Sequence, residues 1–125
     1  MNLFIYIKLI FYIFMINTIS SQENNKKFIE EIALEIINSS EYSVLITIEN
    51  NYSYSRTMDH FEVGNDFIIY MGTNTDSRKV NQIKKNKNVT VHFNSNKNDG
   101  FVSISGNAYI SDDTDLKNKF WKEDW

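Results

Sequence analysis

The chain has 125 residues, a length typical of one domain, and 42% of them are hydrophobic and 14% aromatic, too many for a disordered tail. The formal net charge of -3 argues against a nucleic-acid partner, because phosphate binding requires a basic face. The sequence contains no cysteine, which excludes disulfides, thiolate metal sites, cysteine nucleophiles and a lipid-modified cysteine.

Residues 1–21 have the order of a signal peptide. Lys8 gives an early positive charge, an apolar stretch follows, and small polar residues precede Gln22. The apolar stretch is shorter than the roughly 20 residues of a membrane-spanning helix. We therefore expect cleavage near Gln22, export to a bacterial periplasm or the medium, and no stable membrane insertion afterwards. An uncleaved membrane anchor is the alternative.

Residues 22–125 are expected to form one domain that begins with a helix over residues 24–38. In that helix isoleucines recur on one side and glutamates lie mostly on the other. Three strands joined by short turns are predicted over residues 42–49, 53–60 and 67–71. The turn at Asn50-Asn51 favours a hairpin, because asparagine tolerates positive φ.

A second helix is predicted over residues 77–86, with Val80 and Ile83 on its inward side and Thr75 or Asp76 as its cap. Two further strands and a last helix are predicted over residues 89–93, 101–110 and 114–122. Short connections favour antiparallel pairing, and alternating apolar residues suit a small barrel. Because five strands would close an unusually small barrel, we expect the domain to be truncated at its C-terminus.

The segment from Gly72 to Lys79 joins a strand to a helix start, where free N–H groups and the helix dipole favour an anion. Hydroxyl side chains alternate along it and two cations end it, a combination that suits a phosphate monoester. An ordinary capped helix with solvated basic residues explains the same pattern. Arg56, on the second strand, offers a rigid fork for phosphate or is a surface arginine.

Other polar residues are expected to be structural. His60 and His92 lack metal-ligand spacing, and Asp112-Asp113 fits helix capping better than a calcium loop, so we expect no metal.

Seven separated segments share an order and spacing with one known family. They are residues 42–47, 55–58, 67–75, 77–83, 88–93, 101–108 and 120–121. On these segments the chain resembles the general-stress-protein group of the pyridoxamine 5'-phosphate oxidase-like flavoproteins. The resemblance covers roughly residues 27–125.

The resemblance implies a mainly β fold with α: an antiparallel, Greek-key-like split β-barrel flanked by helices. It also implies a homodimer with FMN at the subunit interface. Arg56 and Lys79 would hold the FMN phosphate, with Arg78 as a further candidate. The remaining implied contacts are hydroxyl or backbone donors at Thr73 and Thr75, backbone groups of Thr57 and Met58 along the flavin, and Ser103 from the second subunit.

Two features depart from the family. Relatives continue past the Trp121 region into further barrel structure, which carries the substrate-binding residues of true pyridoxamine 5'-phosphate oxidases, so that activity is not expected. A signal peptide is also atypical. We expect an FMN-dependent oxidoreductase of general-stress type. The alternatives are a non-catalytic module that binds haem or another flavin-like cofactor, and a structural envelope protein.

Overall fold

The computed structural model describes residues 22–97 and 99–120. They form three helices, α1 over residues 22–39, α2 over Arg78–Lys85 and α3 over Thr114–Phe120. They also form four strands, β1 (Ser43–Glu49), β2 (Tyr52–Met58), β3 (Asn88–Asn94) and β4 (Phe101–Asn107). The predicted signal peptide and the end of the last predicted helix lie outside the described residues.

The first two strands form the predicted hairpin. Asn50 and Asn51 both have positive φ, 52° and 63°, as a two-residue type I′ turn requires. The pairing runs from Glu49 opposite Tyr52 to Ser43 opposite Met58. The tight turn fixes this register, which decides which β2 side chains share a face with those of β1.

All neighbouring strands are antiparallel, in the order β2-β1-β3-β4. The predicted antiparallel, helix-flanked β fold is therefore confirmed. The chain leaves β2 at one edge of the sheet, forms α2, and returns to the interior of the sheet as β3. This crossover places α2 against β1 and β2.

The third predicted strand, over residues 67–71, is wrong: the structure assigns no strand there. Phe67 has a left-handed φ of 55°, and its N–H bonds the Gly64 carbonyl in a turn. The backbone bond from Phe61 N–H to the Tyr70 carbonyl joins two residues that belong to no strand. The fifth predicted strand also ends earlier, at Asn107.

The core lies on the sheet face that carries Leu45, Val91 and Phe93. Phe93 and Ile37 of α1 are fully buried there. From α2, Val80 and Ile83 are 2% and 7% exposed, which confirms the predicted inward side of that helix. The other sheet face carries residues that are half-buried or exposed, among them Ile46, Thr57, Thr90 and Ser103.

The chain divides into two compact units, one up to Ala33 and one from Leu34 onward. In the described part of the first unit, an ion pair one helical turn apart joins Lys26 and Glu30 at 3.7 Å. Within residues 22–97 and 99–120, no helix combines the length and apolar character needed to span a membrane. The sheet, α2 and α3 belong to the second unit.

Candidate functional site

A tight polar turn directly precedes α2. Asn74 organises it, because its side-chain Oδ1 accepts the Asp76 N–H at 2.8 Å and its carbonyl accepts the Ser77 N–H at 3.2 Å. The Thr73 and Ser77 hydroxyls are 3.2 Å apart. The N-cap residue is Ser77 and not the predicted Thr75 or Asp76, because those two residues belong to the turn and the helix begins only at Arg78.

The start of α2 lacks the features that usually stabilise a helix N-terminus. Ser77 forms no side-chain capping hydrogen bond, and the first turn contains no acidic residue. Its first two residues are instead the cations Arg78 and Lys79. Positive charge is unfavourable beside the positive end of a helix dipole, so this arrangement favours an external anion.

The two cations point to different surroundings. Arg78 is exposed, and its guanidinium carbon lies 4.5 Å from the centre of the Tyr54 ring on β2, a cation–π contact. Lys79 is half-buried and lines a cavity, together with Thr73 and Met58. The helix start therefore presents one positive charge toward β2 and one toward the cavity.

Arg56 belongs to a hydrogen-bonded network between β1, β2 and α2. Its Nη1 donates to the Thr47 hydroxyl at 2.8 Å and its Nη2 to Gln82 Oε1 at 2.9 Å. Burial lowers the pKa of the Arg56 guanidinium, and the nearby positive charge of Arg78 lowers it further. The two arginines are thus close enough to repel each other, which concentrates positive charge beside the start of α2.

The network continues to the other end of α2. Gln82 Nε2 donates to one oxygen of Glu49 at 3.2 Å, and Lys85 Nζ donates to the other at 3.0 Å. These bonds, that from Lys85 first, lower the pKa of the Glu49 carboxyl.

Three other predicted site residues lie outside this hydrogen-bonded network. Thr57 and Ser103 are exposed on the opposite sheet face, and Thr75 is exposed in the turn before α2. Ser103 is on β4, at the far edge from β2, which is about 14 Å away at the usual strand spacing. Its hydroxyl lies 2.7 Å from Nδ1 of His92.

The cavity beside Lys79 has a volume of about 1050 Å³. Its walls are mainly apolar and include the core side chains Leu45, Ile83 and Val91. Phe120 lies in its wall between Phe61 and Tyr70, with ring centres 4.6 and 4.7 Å away. The cavity suits an apolar or aromatic group, with Lys79 available to an anionic one.

Both histidines have neighbours within the fold, and Nδ1 of His60 is buried without a hydrogen-bond partner. His60 Nε2 lies 3.1 Å from the Ile37 carbonyl, and its ring meets Phe93 edge-on at 5.0 Å. His92 bonds Ser103 and, through Nε2, Asn94 Oδ1 at 3.1 Å. Among the residues that the structure describes, no three His, Asp or Glu side chains group as metal ligands.

Sequence reasoning missed Thr47, Gln82 and Glu49. One signal was available for Thr47, which shares its face of β1 with Ser43 and Leu45 and is therefore a polar residue at an inward position. Buried hydroxyls need partners, so that position implied a polar group facing it. Nothing in the helical pattern identified Gln82 as that group.

Comparisons with known proteins agree with this fold. A family profile described as "Pyridoxamine 5'-phosphate oxidase like" matches residues 24–125. General stress protein 26 of Bacillus subtilis (strain 168) is 27% identical over 100 residues, which cover 78% of this chain and 70% of that protein. The crystal structure of General Stress Protein 26 from Bacillus anthracis str. Sterne is 34% identical with a TM-score of 0.66, covering 77% of this chain and 73% of that one.

A Listeria innocua protein described as "Putative Pyridoxamine 5'-phosphate oxidase" has a TM-score of 0.64 at 22% identity. The match covers 74% of each chain and shows a shared fold.

These observations define a helix-flanked antiparallel β domain with cations gathered at the start of one helix. The profile matches most of the sequence, so the chain belongs to the pyridoxamine 5'-phosphate oxidase-like family, and its relatives place it in the general stress protein branch.

Proposed function

We propose that the protein binds FMN and serves as an FMN-dependent oxidoreductase of general-stress type. Members of this family commonly bind flavin. The observation that carries the proposal is the start of α2, where Arg78 and Lys79 occupy an uncapped first turn without an acidic residue. A phosphate bound there offsets the repulsion between these cations and the helix dipole.

Arg56 supports a phosphate at the same place. Its guanidinium has five N–H donors, and the hydrogen bonds to Thr47 and Gln82 use two of them. Both acceptors are neutral, so its charge is not cancelled by them. A dianionic phosphate near Arg56 and Arg78 would relieve the repulsion that these two side chains exert on each other.

The edge of the sheet supports backbone contacts to the flavin. β2 is an edge strand, so alternate backbone groups have no strand partner among the described residues. Counting from the Glu49–Tyr52 pair that closes the hairpin, those groups belong to Ser53, Ser55 and Thr57. Thr57 can therefore offer its backbone N–H and carbonyl beside the proposed phosphate site, as the family resemblance implies, whereas the same register turns the Met58 backbone toward β1.

Ser103 is at the opposite edge of the sheet, too far from β2 to join the same site within one chain. Its participation requires a second copy of the chain, so we propose a homodimer with FMN at its interface. In that complex the flavin supplies the redox chemistry, while this chain's residues bind the phosphate, orient the cofactor and restrict water.

A flavin titration with a matched lysine control tests the cofactor. Lys79→Ala should weaken FMN binding roughly ten- to a hundredfold, since a hydrogen bond to a charged group contributes about 1.5–3 kcal/mol. Riboflavin lacks the phosphate, so its affinity should change little. Lys84→Ala removes the same charge from the exposed far end of α2 and should affect neither ligand.

The outcomes separate the parts of the proposal. Equal weakening of both ligands by Lys79→Ala would show that the phosphate assignment is wrong even though flavin binds. A wild-type protein that binds neither ligand would refute the cofactor, and the non-catalytic or structural alternatives would then stand.

A further inference from the structure

Gln82 is a polar side chain that the core fully buries. It is 0% exposed on α2, close in sequence to the buried Val80 and Ile83. Burying an amide without hydrogen bonds is unfavourable, so its partners decide what it does. They connect it to Arg56, a proposed phosphate ligand.

The orientation of the Gln82 amide is determined by its partners. Oε1 accepts hydrogen bonds from the Thr47 hydroxyl at 2.6 Å and from Arg56 Nη2 at 2.9 Å. Nε2 donates to Glu49. An ionised carboxylate only accepts hydrogen bonds and a guanidinium only donates them, so the amide fits in one orientation.

Lys85 completes this constraint from the solvent side. Its ammonium is 3.0 Å from the Glu49 oxygen that Gln82 does not use, and the Glu49 side chain is only 19% exposed. The series Lys85–Glu49–Gln82–Arg56 thus alternates donor and acceptor groups along the contact between α2 and the hairpin. Each side chain fixes the next.

The result is an arginine with little rotational freedom beside Arg78. Two acceptors, Thr47 and Gln82, hold two of its nitrogens from the protein side, and both acceptors are fully buried. Three N–H groups remain for a ligand. A long side chain that is already ordered loses less entropy when it binds a phosphate.

We propose that Gln82 is a positioning residue, which touches no ligand but sets the preference for FMN over riboflavin by holding Arg56 in its phosphate-binding orientation. This inference rests on the proposed function. It assigns part of the ligand selectivity to a buried contact between α2 and the hairpin.

The test is the ratio of riboflavin to FMN dissociation constants in the folded protein. Gln82→Met keeps the size of the side chain and removes its acceptor, so the ratio should fall roughly two- to tenfold, the effect of one hydrogen bond. Thr47→Val removes the other acceptor and should act in the same direction. Asn81→Met, at the preceding exposed position of α2, is the control and should leave the ratio unchanged.

A double-mutant cycle shows whether Gln82 acts through Arg56. In an Arg56→Ala background, Gln82→Met should no longer change the ratio. A general structural role would lower both affinities together and persist in that background, which would overturn the inference. Should Gln82→Met not fold, the same cycle with Thr47→Val decides.

The two proposals fail differently. A wild-type protein without any FMN preference would refute the phosphate site and this inference with it. A preference that Lys79→Ala lowers and that Gln82→Met and Thr47→Val leave intact would refute the positioning role alone.

Discussion

Thr47→Val, which replaces a hydroxyl by a methyl group, measures how much the buried contact between Thr47, Arg56 and Gln82 contributes to the free energy of unfolding. Thr47→Val is isosteric, so it leaves no cavity, and it removes the hydroxyl that donates to Gln82 and accepts from Arg56. Thr47 is 0% exposed, so water cannot replace the lost partner there. Gln82 Oε1 keeps its bond from Arg56 Nη2, but Arg56 Nη1 loses its acceptor, and a buried polar group left unsatisfied costs about 1–3 kcal/mol.

For a unit of this size, each kcal/mol changes the melting temperature by about 4–8 °C, so the expected drop is roughly 4–24 °C. Urea unfolding should show a lower midpoint with an unchanged slope, because the surface exposed on unfolding is the same. Thr90→Val is the matched control. Thr90 is on the other sheet face, its hydroxyl bonds Ser105 at 2.9 Å near solvent, and its loss should stay within about 0.5 kcal/mol.

Two results would refute this reasoning. Thr47→Val as stable as the wild type would show that the network contributes no net stability. Equal losses from Thr47→Val and Thr90→Val would show that burial of the hydroxyl does not matter.

Three further predictions follow from burial, charge and assembly. Phe93→Ala should lower the free energy of unfolding in urea by about 3–5 kcal/mol, because Phe93 is fully buried. Phe101 is 67% exposed, so Phe101→Ala should change it by no more than about 0.5 kcal/mol. Similar losses from the two substitutions would contradict the assigned core. Because folding lowers the pKa of Glu49, its carboxylate stabilises the folded state above pH 4.5, the ordinary pKa of the group, and this stabilisation is lost as the pH falls through the lowered pKa. The urea midpoints of wild type and Glu49→Gln should therefore differ above pH 4.5 and converge in acid. A difference that does not change with pH would contradict this role of Glu49. Light scattering should give twice the protomer mass, because a stable dimer interface buries at least about 1,200 Å². A flavin-loaded monomer would disprove the shared site.

Local chemistry in the sequence determined most of the secondary structure. Asn50-Asn51 implied the hairpin because few other residues accept positive φ at both positions. The spacing of Val80 and Ile83 implied the buried side of α2, and the run from Gly72 to Lys79 identified the cationic helix start. These features depend on neighbours within a few residues, so local sequence patterns are enough to predict them.

The sheet order, the loss of the strand at residues 67–71 and the partners of Arg56 were decided only by the tertiary structure. An apolar run becomes a strand only where another strand supplies a ladder, and a left-handed Phe67 begins this run instead. The sequence left Arg56 as either a phosphate ligand or a surface arginine, because no local pattern shows that it meets Thr47 and Gln82, 9 and 26 residues away. Sequence patterns record which residues prefer burial, whereas side-chain hydrogen bonds depend on which surfaces the fold brings into contact.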